Sequence, residues 1–86
     1  MTLAEIKNLL GDDKLVIGTD RSMKNLRQGN VQKVFLSSNC NAETVEDFEH
    51  YANMSEVEVE HLEAPNDELG VVCKKPFSIS VISILK

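Results

Sequence analysis

The sequence predicts an α/β layered domain with helices on both faces of one small sheet. Strict alternation is the first observation behind this. Segments with helical spacing alternate with short apolar or β-branched segments, in the order helix, strand, helix, strand, helix, strand, helix, strand. The second is the run Val34-Phe35-Leu36, continuously apolar as strands of a parallel sheet buried on both faces are. The third is size. A chain of 86 residues, 42% of them apolar, supports one modest core and hence a single domain spanning residues 1–86. Chains of this length bury roughly 60–65% of their unfolded surface.

Thr2 is placed to cap a first helix, with Glu5 completing a capping box and Leu3, Ile6, Leu9 and Leu10 on its apolar face. Gly11-Asp12-Asp13 ends it. Leu15-Val16-Ile17 is too short for a helix and reads as a buried strand. Gly18 breaks the strand, and a helix restarts at Thr19 or Asp20, with one of these two as its cap. Met23 and Leu26 face inward, Arg21, Lys24 and Arg27 outward, and Gly29 is a natural residue just past the helix end.

Residues 31–37 form the second strand, and Asn41 is placed to cap a helix over residues 43–54. There Val45, Phe48, Tyr51 and Ala52 face inward, while Glu43, Glu46, Asp47, Glu49 and His50 form a solvated acidic face. Val57, Val59 and His61 alternate with glutamates, as expected of an edge strand. Asn66 or Asp67 begins a short helix that Pro76 stops from continuing past Lys75. Residues 77–85, FSISVISIL, read as the last strand, with Ile79, Val81, Ile82 and Ile84 as core candidates.

The formal net charge of −5, taken alone, argues against nucleic-acid binding, because phosphate usually needs a basic face. Its distribution matters more than its sum. Acidic residues crowd positions 43–68, whereas basic residues crowd positions 21–33 and Lys74-Lys75. A fold that joins the two basic clusters leaves a local positive patch on an acidic body. No apolar run approaches the ~18 residues of a membrane span. The start of the chain lacks the features of a signal peptide, so a cytoplasmic location is expected. Cys40 and Cys73 are expected as free thiols, and they and the two histidines lack the close spacing of a zinc site. No metal or other cofactor is expected.

Two stretches are candidate sites. In the first, residues 18–24, a strand feeds directly into a helix. The helix's first N–H groups are left unpaired there, where phosphate can bind, and Lys24 lies one turn in. The stretch has neither the Gly-Lys-Ser/Thr phosphate-loop signature nor the three spaced glycines of a dinucleotide site. An ordinary strand-to-helix turn with surface charges would leave the same pattern. In the second, residues 69–77, Val72, Lys75, Pro76 and Phe77 could hold an unstacked base on an apolar surface; core burial and solvated lysines are the alternative. The glutamates at positions 56, 58, 60 and 63 read as a solvated strand face. No arrangement suited to nucleophilic catalysis is present, and no enzyme is expected.

LVIGTDRSMKNLRQGNVQKVFLSSN is similar to the strand–helix–strand core of the ribosomal L-thirty-e and L-seven-Ae family, the kink-turn RNA binders. Gly18, Lys24 and the run Leu26-Arg27-Gln28-Gly29 resemble the L-thirty-e branch most, as do Glu49-His50-Tyr51-Ala52 and Asn66-x-Glu68-Leu69-Gly70. The resemblance covers nearly the whole chain. It implies a three-layer α/β/α sandwich around a four-stranded mixed sheet, and binding of sharply bent RNA by a large-subunit ribosomal protein. Carried across by position, it implies RNA contacts at Gly18, Thr19, Asp20, Arg21 and Lys24. It implies support of an extruded base at Lys75, Pro76 and Phe77 with Val72 nearby, and a lesser phosphate contact at Lys33. The implied partners are ribosomal RNA and other ribosomal or ribonucleoprotein subunits, with no membrane.

The chain departs from the family pattern at three points. Asp20 stands where an amide is usual, and a carboxylate only accepts hydrogen bonds; Arg21 beside it offers a fork of donors. Lys74 stands where glycine is common. The acidic balance is unusual for a protein embedded in ribosomal RNA. The alternative it suggests is a diverged paralogue acting through its acidic face, as a protein–protein adaptor or an extra-ribosomal RNA regulator.

Overall fold

The computed structural model describes residues 6–86. Residues 6–8 are helical, and seven elements follow: β1 (Leu15–Ile17), α1 (Thr19–Arg27), β2 (Val31–Leu36), α2 (Ala42–Met54), β3 (Glu58–His61), α3 (Asn66–Val72) and β4 (Val81–Leu85). The proposed capping box of Thr2 and Glu5, with Leu3, lies outside the described residues.

The four strands form one mixed sheet in the order β1-β4-β2-β3. β4 runs antiparallel to both neighbours, and β2 and β3 are parallel. The parallel pair needs a crossover, which α2 supplies. Strand alternation divides the core in two. Val34, Leu36 and Val81 pack with Leu26 of α1 and Phe48 of α2 on one face. Phe35, Ile82 and Ile84 pack with Ile6, Leu69 and Cys73 on the other. This is the expected α/β/α arrangement, and the apolar run in β2 is buried on both faces for that reason.

One polar contact crosses the first core. Ser83 Oγ of β4 donates to Ser22 Oγ of α1 at 3.0 Å, with both residues fully buried. The pair satisfies itself where neither hydroxyl reaches water.

Three expectations are corrected. The last strand begins at Val81, not at residue 77, and Phe77 is 57% exposed. The backbone of this segment is bonded elsewhere: Ile79 N–H donates to the Asn66 carbonyl at the start of α3. α1 is capped by neither Thr19 nor Asp20. Gly18 occupies the cap position without a side-chain bond, at φ 115°, a conformation costly for any other residue. His61 of β3 does not share the half-buried state of Val57 and Val59, with which the alternation grouped it; it is exposed, with Nε2 2.8 Å from Glu49 Oε1 of α2.

Helix ends show a shared device. α1 ends in a Schellman motif, with Gly29 N–H bonded to Leu26 O and Asn30 N–H to Asn25 O. Gly29 supplies the left-handed turn, as expected. α2 and α3 end the same way without glycine, using Glu56 at φ 56° and Lys74 at φ 58°.

Candidate nucleic-acid interface

The site is assembled by strand direction. β1 and β4 are antiparallel, with Ile17 opposite Ile82, so the exit of β1 and the entry to β4 share one end of the sheet. Gly18 N–H donates to Val81 O at 3.0 Å and ties the two together. The loop before β4 therefore meets the first turn of α1.

A groove of about 890 Å³ runs along the open edge of β1, between that strand and α1. Arg21 and Lys24 line it from α1, and Lys75 and Phe77 from the loop before β4. All four are exposed. Arg21 and Lys24 of the first basic cluster thus meet Lys75 of the second, whereas Arg27, Lys33 and Lys74 do not line this groove. Three of the groove's charged groups are cations, and Asp13 is the one anion. The glutamate-bearing β3 lies at the opposite edge of the sheet.

The loop's shape comes from α3. Lys74 N–H donates to Val71 O and Lys75 N–H to Gly70 O, which turns the chain back over the helix. It then crosses Gly70 at backbone contact. Phe77 is left outside the core instead of entering β4.

Other candidates fall elsewhere. Gly18 and Thr19 stand at the start of α1 beside the groove, and Asp20 lines a smaller depression of about 420 Å³ with Met23, Lys24, Arg27 and Gln28. Pro76 is exposed between Lys75 and Phe77, while Val72 is half-buried against the second core. Lys33 is remote. It lies near the start of β2, opposite Ile84, and its Nζ stands 3.5 Å from Glu58 and 3.4 Å from Glu60.

Asp13, Asn25 and Gln28 also line the groove and were not among the expected site residues. For Asn25 and Gln28 the signal was present. Positions 21, 24, 25 and 28 form one polar stripe at helical spacing. Asn25 is further held by a bond from its Nδ2 to Arg21 O at 2.9 Å. Both thiols are free, and burial pushes Cys40 and Cys73 above the ordinary thiol value. Among the described residues, no group of three or more His, Cys, Asp or Glu side chains could hold a metal ion.

The large ribosomal subunit protein eL30 of Saccharolobus solfataricus is 35% identical over 81 residues, covering 94% of this chain and 75% of that protein. Its counterpart in Trypanosoma brucei brucei is 34% identical over 80 residues, 93% of this chain and 76% of that one. Among solved structures, the Giardia lamblia 15.5kD RNA binding protein superposes with a TM-score of 0.86 at 19% identity, covering 99% of this chain and 71% of that one, which shows a shared fold. The sequence model of the Ribosomal protein L7Ae/L30e/S12e/Gadd45 family matches residues 2–86, and the chain belongs to that family.

Proposed function

We propose that this protein is a non-catalytic RNA-binding component of the large ribosomal subunit, and that residues 1–86 are one domain recognising kink-turn-type bent RNA. The observation that carries the proposal is the convergence of Arg21 and Lys24 with Lys75 and Phe77 in one groove. Cations on one wall and an exposed aromatic ring at the end of the other match a sharply bent backbone with an unstacked base. Arg21 and Lys24, with the first N–H groups of α1, meet phosphate and base edges. Phe77, supported by Pro76, carries the extruded base. Binding favours a bend that the free RNA populates only in part, so the protein acts by population shift. The eL30 relatives make ribosomal RNA the expected ligand and the cytoplasmic ribosome the expected location. No helix among the described residues is long and apolar enough to cross a membrane.

Titration of a fluorescently labelled kink-turn RNA against a straight duplex of equal length tests the proposal. Wild type is expected to prefer the kink-turn, and Lys24→Ala to weaken binding about tenfold with a shallower salt dependence. Equal affinity for the two RNAs would reject it.

A further inference from the structure

β1 is an edge strand, and α1 runs back along it after the turn at Gly18. The groove between them therefore has two distinct ends. Lys75 and Phe77 mark the end where β1 exits. Asp13 lies two residues before the first residue of β1 and marks the end where it enters, with Gln28, just past α1, lining the same groove. Three strand residues separate the ends by about 10 Å, enough for separate parts of a bent strand.

Asp13 is fixed in place by its neighbours' bonds. Asp12 Oδ1 accepts from Lys14 N–H at 2.9 Å, Leu15 N–H donates to Asp12 O, and Leu85 N–H donates to Lys14 O at 2.7 Å. The turn is thus anchored on both sides of Asp13, whose exposed carboxylate makes no ion pair with another described residue. The nearby cations of the groove do not neutralise it by contact. A carboxylate is a poor neighbour for phosphate, so this end of the groove is not built to continue the backbone track.

We infer that Asp13 is a specificity-determining residue that accepts hydrogen bonds from the Watson–Crick edge of an unpaired guanine at the far end of the groove. An ionised carboxylate accepts at two oxygens and cannot donate. Guanine offers two adjacent donors, N1–H and the 2-amino group, which match those oxygens; adenine and cytosine offer a single amino group on that edge. Gln28, whose amide both donates and accepts, is the other polar side chain at this end. The inference rests on the RNA-binding proposal and adds to it a base preference and the residue that imposes it.

Titration of labelled kink-turn RNAs in which each unpaired guanine is replaced in turn by inosine, which lacks the 2-amino group, provides the test. Wild type is expected to lose about tenfold in affinity at one position, in the range for losing one hydrogen bond to a charged group. Asp13→Ala and Asp13→Asn are expected to bind the parent RNA more weakly and to lose discrimination at that position alone. Their urea midpoints check that both variants remain folded. If both variants bind every RNA more tightly by one common factor, Asp13 acts only by repelling phosphate and the inference is overturned. Unchanged discrimination in both variants overturns it equally, while preference for kink-turn over duplex would persist in either case. A wild-type protein without that preference would overturn the function proposed above, and this inference with it.

Discussion

Gly70 of α3 and the carbonyl of Phe77 touch backbone to backbone, and a Cβ built on Gly70 would collide with the Phe77 oxygen. The position of the exposed phenylalanine is therefore set by a missing side chain seven residues earlier. Closing this contact lets Ile79 N–H reach Asn66 O and brings Ile79 into the core while Phe77 stays outside.

Gly70→Ala should thus cost about 2 kcal/mol or more, since the obstacle is rigid backbone instead of a flexible side-chain end. A lowered urea midpoint is expected, with faster hydrogen exchange at Ile79. An unchanged midpoint and unchanged exchange would show that the loop can move away freely.

Glu56→Gly and Lys74→Gly should both stabilise the protein. A left-handed conformation costs a non-glycine residue about 1–2 kcal/mol, and the greater freedom of glycine when unfolded offsets about 0.5–1 kcal/mol. Glu56 also places a negative charge at the C-terminal end of α2, against the helix dipole, whereas Lys74 is favourably placed at the end of α3. Glu56→Gly should therefore gain more, about 1 kcal/mol against about 0.5 kcal/mol. The two helices pack on opposite faces of the sheet, so the gains should add. Denaturant titration of the single and double variants checks both the order and the sum.

Ser22→Ala or Ser83→Ala should each cost about 1–3 kcal/mol, because each leaves one buried hydroxyl without the other. The double replacement should cost less than the sum of the single ones. A double-mutant cycle by thermal unfolding measures the difference, and strict additivity would show that the bond contributes nothing.

Stability should fall as pH rises above 9. Burial raises the Cys73 thiol above its ordinary value of 9.0, and nearby Lys75 opposes this in part. The folded state therefore holds the thiol proton more tightly than the unfolded state does. The stabilisation is complete below the unfolded value and is lost as pH climbs through the folded one. Urea midpoints at pH 7, 9 and 10.5 should fall more steeply for wild type than for Cys73→Ala.

Much of the fold was legible because the signals are local. Gly29 and Asn41 act at helix ends as their residue types suggest, and Asn41 Oδ1 accepts from Glu43 N–H at 2.8 Å. Leu26 and Phe48 are buried as their spacing indicates. The left-handed turns at Glu56 and Lys74 were not legible, since neither residue type favours that conformation. The start of β4 was misplaced because FSIS alternates as a strand does, while its backbone partners lie in α3. Asp13 carried no signal: it reads as part of a helix-ending turn, and only the groove gives it a neighbourhood.

The sequence by itself determined the order of helices and strands and much of the apolar core, because periodicity and end signals act within a few neighbours. It also held the family likeness in the run around Gly18 and Lys24. Only the tertiary structure decided that β4 lies between β1 and β2 and runs against both. The β1–β4 pairing joins residues more than sixty positions apart, as Ile17 and Ile82 are, and no local pattern encodes it. It places Lys75 and Phe77 beside Arg21 and Lys24, and leaves Lys33 at the far end of the sheet among glutamates.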